Sequence, residues 1–225
     1  MTLTPIEARV IGSLAEKQLT TPQQYPLTLN ALVLACNQSS NRDPVVSYDE
    51  ETVEQALSSL REAGLLRFVH PSHGRSATRY RQVLDERFGL DSRGLSVVTV
   101  LVLRGPQTVG ELRARTERMA DFASLDEVEA ELGRLSQDPD PLVRRLPRRP
   151  GQKEERWAQL LAEGTLEPDA PSDADAGIAS DAAAPVSAVS LSHEMASLRA
   201  DVDALREEVS RLGTVVEELR AAFDL

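Results

Sequence analysis

Apolar positions along this chain recur in two short helical patterns and one long one, and the three divide it. Ile6, Val10, Ile11 and Leu14 have helical spacing directly after Thr4-Pro5, a helix-start signal. Pro22 and Pro26 then break the chain, and the largely apolar stretch 27–36 predicts a second helix that Asn37 ends. A polar loop follows, with Asp43-Pro44 as a turn signal. A third helix is predicted from near Asp49, with Val53, Ala56, Leu57 and Leu60 inward and Gly64 as its stop. Residues 65–69 and 78–83 read as two short strands joined by a polar turn.

The same order returns in the next 70 residues. Residues 95–103 predict a first helix, although their valines also permit a strand. Gly105-Pro106 breaks the chain before a second helix over 108–116. Ser124 and Glu127 have the spacing of a capping box for a third helix to about residue 136, with Leu125, Val128, Leu132 and Leu135 inward. Residues 142–146 and 156–161 complete the repeat as a hairpin. Three helices followed by a hairpin is the winged-helix order, so the predicted class is mainly α with small β-hairpin wings (α+β), as two tandem winged-helix domains over 1–90 and 91–163.

The third pattern is a heptad repeat. Leu191, Leu198, Leu205, Leu212 and Leu219 alternate with Met195, Val202, Val209, Val216 and Phe223 in 4-3 spacing. Leu at d with mostly Val at a favours a parallel two-stranded coiled coil. Glu194 and Asp201 at g then face Arg199 and Arg206 at e of the partner. This predicts a coiled-coil helix over 191–225 and a homodimer; an amphipathic helix docked on its own globular part is the alternative. Residues 164–190, rich in Ala, Asp, Ser and Pro, predict a flexible acidic linker.

Composition changes this picture in one respect. The net charge of −11 lies mostly beyond residue 165, where 13 acidic residues face 4 basic ones, so the predicted folded part is nearly neutral. The low overall charge therefore does not exclude a nucleic-acid surface. One cysteine, Cys36, allows no intramolecular disulfide or cysteine-based zinc site. The longest apolar run, residues 97–103, is far short of the ~20 residues that span a bilayer. The first residues lack the basic-then-apolar order of a secretory signal. A soluble, cytoplasmic protein without membrane contact is expected.

The first repeat carries a resemblance. Glu7-Ala8-Arg9-Val10-Ile11-Gly12, Glu16-Lys17-Gln18, Thr20-Thr21-Pro22, Tyr25-Pro26-Leu27, Asn30, Ala35-Cys36-Asn37-Gln38 and Asn41-Arg42-Asp43-Pro44-Val45 resemble the YceH-like family of bacterial proteins. In the second repeat Leu103-Arg104-Gly105, Gln107-Thr108, Gly110-Glu111-Leu112-Arg113, Arg118-Met119 and Arg149-Pro150-Gly151 are similar to it as well. The resemblance covers roughly residues 3–161 and implies a tandem winged-helix fold. It implies no activity, and the family brings no catalytic or ligand residues to carry over.

Winged-helix domains commonly place their third helix in the DNA major groove and a wing against the backbone. Both predicted third helices here begin acidic: Asp49, Glu50, Glu51 and Glu54 in one, Asp126, Glu127, Glu129 and Glu131 in the other. Phosphate would be repelled, whereas early carboxylates complement the helix dipole. The wings are the candidate DNA surface instead, through Arg144, Arg145, Arg148, Arg149, Lys153 and Arg156 in the second and Arg75, Arg79 and Arg81 in the first. A solvated hairpin with local ion pairs, through Glu154 and Glu155, is the plainer reading.

Tyr25, Asn30, Gln38 and Arg42 are candidates for a ligand pocket or partner surface, with Arg42 as the charged anchor; caps and Asx turns in the 37–43 loop are the alternative. His70 and His73 lack a third metal ligand nearby in sequence, so a wing turn is expected rather than a metal site. No phosphate loop, nucleophile elbow or paired-carboxylate motif is present, which argues against an enzyme, and no cofactor is expected. Two functions stay open: a DNA-binding regulatory protein of modest sequence specificity, and an adaptor whose winged helices dock another protein.

Overall fold

Thr4 sets the first helix, α1 (Pro5–Thr20), by reciprocal capping. Its hydroxyl accepts from the Glu7 N–H, and the Glu7 carboxylate accepts from the Thr4 N–H at 2.8 Å. The computed structural model describes residues 2–70, 77–137, 139–148 and 153–163. The proposed linker 164–190 and heptad helix 191–225, with its whole seam from Leu191 to Leu219, lie outside them, as do Arg75, Arg149 and His73.

Val10, Ile11 and Leu14 are fully buried as their spacing predicts, but Arg9, Ser13 and Glu16 on other sides of α1 are buried as well. The reason is enclosure, because α1 packs on α2 (Leu29–Cys36), α3 (Glu50–Glu62) and α5 (Ser92–Arg104). The stretch 27–36 is not one helix. Leu27–Thr28 form a short strand, β1, and the Thr28 hydroxyl then caps α2 by accepting from Ala31 N–H at 3.4 Å. An N-cap residue has extended dihedrals, so the cap itself ends the helix there.

Asp49 caps α3, which buries Val53, Ala56, Leu57 and Leu60; Gly64, at φ +70°, lets the chain leave it. β2 (Leu66–Val69) and β3 (Arg79–Gln82) pair antiparallel with Phe68 opposite Tyr80, and β1 adds on the other edge of β3. A five-residue helix, α4 (Leu84–Phe88), stands between the repeats. No helical pattern predicts it, because one turn is too short to show a period.

In the second repeat Asp91 caps α5, which is helical despite its valines because burial on several sides outweighs their weak strand preference. Gln107 exchanges backbone hydrogen bonds with Trp157 at 3.0 and 2.7 Å. α6 (Val109–Thr116) follows under a Thr108–Glu111 capping box, then α7 (Leu125–Leu135) and the antiparallel pair β4 (Val143–Leu146) and β5 (Arg156–Gln159). The expected box on α7 is half formed. Ser124 accepts from Glu127 N–H, but the Glu127 carboxylate turns to Ala123 N–H and to Arg93, at 3.1 Å each. Leu125 is a further correction: it is 46 % exposed, since the first turn of α7 overhangs the core that Val128, Leu132 and Leu135 fill.

The architecture is thus mixed α+β, rich in helix, with two small antiparallel sheets. The two repeats share one body. α1 and α5 approach so closely at Gly12 that a Cβ there would sit 2.9 Å from both Leu103 and Val102 side chains. The Asp43 N–H donates to Leu103 O at 2.9 Å. Leu3 N–H donates to Leu161 O at 2.7 Å, and Glu163 N–H to Leu3 O at 2.9 Å.

Candidate functional site

The second hairpin presents most of the cations that the sequence assigned to it. Val143, Trp157 and Ala158 are buried, whereas Arg144, Arg145, Arg148 and Lys153 are exposed. Arg145 lies over the Trp157 ring, 5.5 Å from its centroid, and its Nε is 3.2 Å from Glu155. That stacking holds the guanidinium on the outer face without withdrawing it from solvent. Arg144, Arg148 and Lys153 have no ion pair among the described residues. Arg156 is turned elsewhere: it donates to Pro106 O at 3.0 Å and meets Glu111 at 3.4 Å, tying β5 to α6.

The first hairpin differs. Arg79 is exposed and donates to Pro26 O at 2.8 Å. Arg67 and Arg81 both pair with Glu86 of α4, and Arg61 lies over Phe68 at 4.7 Å. The short helix absent from the sequence expectation gives this hairpin one carboxylate, which Arg67 and Arg81 share. Beside it the α3 surface is acidic and solvent-facing, with Glu50, Glu51 and Glu54 exposed. On α7 the expected exposed row is reduced, because Glu127 and Glu131 are half-buried and paired with Arg93 and Arg134.

The 37–43 loop serves the fold. Arg42 is buried, with both Glu16 carboxylate oxygens at 3.1 and 2.6 Å, Gln38 Oε1 at 3.0 Å and Ala35 O at 2.8 Å. Arg9 donates to Cys36 O at 3.2 Å and to Pro44 O. The last turn of a helix leaves carbonyls unpaired and carries partial negative charge. Two arginines satisfy both needs at the end of α2, and Asn37 ties the loop back by bonds to Tyr48 at 2.7 and 2.8 Å. Arg42 therefore faces inward rather than standing ready as a surface anchor. Burial also pushes the Cys36 thiol up to about 11, which keeps it protonated and inert.

Tyr25 belongs to another cluster. Its hydroxyl accepts from Gln82 N–H at 2.7 Å, and burial pushes its pKa well above the usual range. Asn30 is exposed on α2. Of the four residues proposed as one surface, the contacts join only Gln38 and Arg42. His70 is exposed, 3.4 Å from Thr78, and no group of metal-ligating side chains occurs among the described residues. No helix among them is long and apolar enough to cross a membrane.

One constellation escaped the sequence reading. Arg104, Arg115 and Arg118 line a crevice with Thr99, Asn41 and Glu16. These residues come from α5, α6 and its exit, the 37–43 loop and α1, so no local spacing announces them.

A family model described as "Protein of unknown function, DUF480" matches residues 3–152. The chain is 46 % identical over 218 residues to a UPF0502 protein of Solibacter usitatus, covering 97 % of this chain and 96 % of that one. A UPF0502 protein of Geobacter sulfurreducens is 44 % identical over 222 residues, 99 % of this chain and 98 % of the relative. One from Geobacter metallireducens is 52 % identical over 160 residues, 71 % and 72 % of the two chains.

Proposed function

We propose, for a chain that belongs to the DUF480 (UPF0502) family of bacterial proteins, a role as a DNA-binding regulator of modest sequence specificity. The repeated order of helix, extended segment, two helices and hairpin supports a tandem winged-helix reading. The exposed arginines of the β4–β5 hairpin carry the functional one: Arg144, Arg145 and Arg148 stand outside the core, with Glu155 paired to Arg145 and Glu154 exposed on the same hairpin. Arginine suits phosphate and narrow minor grooves, and contacts of that kind hold DNA with little base reading. The acidic surface of α3 favours wing contacts over insertion of that helix. The heptad over 191–225 supports a homodimer presenting two such bodies to one duplex.

The test is fluorescence anisotropy with random duplex DNA at about 50 and 200 mM salt, where wing contacts predict binding that weakens steeply as salt rises. No binding at either salt would sink the DNA reading. Light scattering of the full chain beside one lacking residues 190–225 tests the dimer; a truncated chain that remains dimeric would move the interface out of the heptad.

The adaptor reading keeps one specific observation. Leu125 is exposed beside Phe122, Ala114 and Gly110, forming an apolar groove between α6 and α7 with Arg113, Glu117 and Asp121 at its edge. An apolar patch rimmed by charge suits a helical segment of another protein.

A further inference from the structure

The crevice between α1, α5 and the exit of α6 holds a cavity of about 50 Å³ and opens to solvent. Both repeats build it. Val100, Leu103 and Met119 give it an apolar wall, and Arg104, Arg115 and Arg118 a cationic one. Two acidic groups nearby, Glu16 and Glu111, are already committed, and Asp43 is exposed. Glu16 is held by Arg42, and Glu111 is shared by Arg115 at 3.6 Å and Arg156 at 3.4 Å. Arg118 is exposed and has no ion pair among the described residues. Arg104 reaches Asn41 Oδ1 at 3.1 Å and makes no ion pair among them either.

A second observation points to an occupant. Thr99 lines the same crevice, is 1 % exposed, and its hydroxyl finds no hydrogen-bond partner among the described residues. Buried hydroxyls are almost always paired, often with a carbonyl one turn back in the helix. Here the hydroxyl is left over in a cavity that also holds three guanidinium groups. Burial and the adjacent Arg115 push the Arg104 guanidinium below its usual range, against the pull of Asp43, Glu111 and Glu16. A bound anion would relieve that strain between like charges.

We infer that this crevice binds a small organic anion, an oxyanion head on Arg104, Arg115 and Arg118 and a short apolar body against Val100, Leu103 and Met119. Thr99 hydrogen-bonds the ligand from within. The ligand bridges the two repeats, because Asn41 and Thr20 come from the first and the arginines from the second. The inference is independent of DNA binding.

The experiment is calorimetric titration of the full chain with butyl phosphate and with inorganic phosphate at constant ionic strength. Butyl phosphate binds at one site per chain and tighter than phosphate by about threefold or more, since only it covers the apolar wall. Arg118→Gln, which breaks no ion pair among the described residues, keeps the wild-type melting temperature and loses about tenfold in affinity. Thr99→Val replaces the orphan hydroxyl by a methyl, so the melting temperature rises while affinity falls. No heat with either probe at about 10 mM overturns the inference, as does an affinity unchanged by Arg118→Gln. Binding of duplex DNA that depends on Arg118, with neither phosphate probe bound, also overturns it and assigns the crevice to nucleic acid.

Discussion

The two repeats share an order of elements and put their arginines to opposite use. In the first, Arg9 and Arg42 are buried under the end of α2, and Arg67 and Arg81 share the Glu86 carboxylate. In the second, Arg144, Arg145 and Arg148 stand on the hairpin and Arg118 at the helix exit, all in solvent. Charge on such a scaffold is set by what the connecting segments bring to it. One short helix offsets part of a hairpin's charge, and one loop internalises two cations. A family of this kind can specialise one repeat for architecture and the other for contact.

The comparison breaks most visibly at Arg42. Arg42→Ala leaves Glu16 half-enclosed without its cation and α2 carbonyls unpaired, and costs about 3–5 kcal/mol of stability by urea denaturation. Arg42→Lys recovers little of it, because a point charge cannot reproduce the bidentate fork. A loss under about 1 kcal/mol for Arg42→Ala would show that the buried network is not what holds the first repeat. Gly12→Val tests the seam between repeats. Its side chain meets Leu103 and Val102 where even a Cβ is too close, so about 1–3 kcal/mol of destabilisation is expected.

On the contact side, replacing Arg144, Arg145 and Arg148 by Ala lowers the slope of log affinity against log salt by about 2–3. The matching change of Arg67 and Arg81 lowers the slope by about 1 or less, because Glu86 offsets one of their two charges. Glu86→Gln frees those two cations and raises the slope by about 1. Equal effects from both hairpins would dissolve the distinction between repeats.

The smallest effect concerns Glu7, which joins α1 to α3. Partial burial pulls its carboxyl up, but hydrogen bonds from Ser59 and Thr4 outweigh this and hold it below the usual range. A depressed folded-state pKa gives stability that is present above the unfolded value, about 4.3, and lost as pH falls through the folded one. Urea midpoints of Glu7→Gln therefore drop at neutral pH and converge on wild type near pH 3; a constant gap would assign the effect to packing.

Local chemistry carried much of the fold in the sequence. Thr4, Asp49, Thr108 and Ser124 cap where side-chain oxygens of that kind cap, and Gly64 ends α3 because it alone accepts a positive φ without strain. What escaped depends on distance along the chain. Glu86 meets Arg67 nineteen residues away, and Arg42 meets Glu16 at a separation of 26. Leu27 is a strand residue because Tyr80 lies opposite. The candidate wing residues were legible as a cluster of arginines, but that Arg156 would turn into the body was not. The three arginines around Thr99 come from separate elements, and their meeting is a property of the fold alone.

The pairing of Leu3 with Leu161 and Glu163 has a mechanical meaning. A load applied at Glu163 is shared at once with the first strand-like residue of the other repeat, so pulling there shears a clasp rather than unzipping the second repeat. The same bridge brings residues 3 and 162 side by side. Joining those ends and opening the chain between α4 and α5 would yield a permuted protein in which the second repeat comes first.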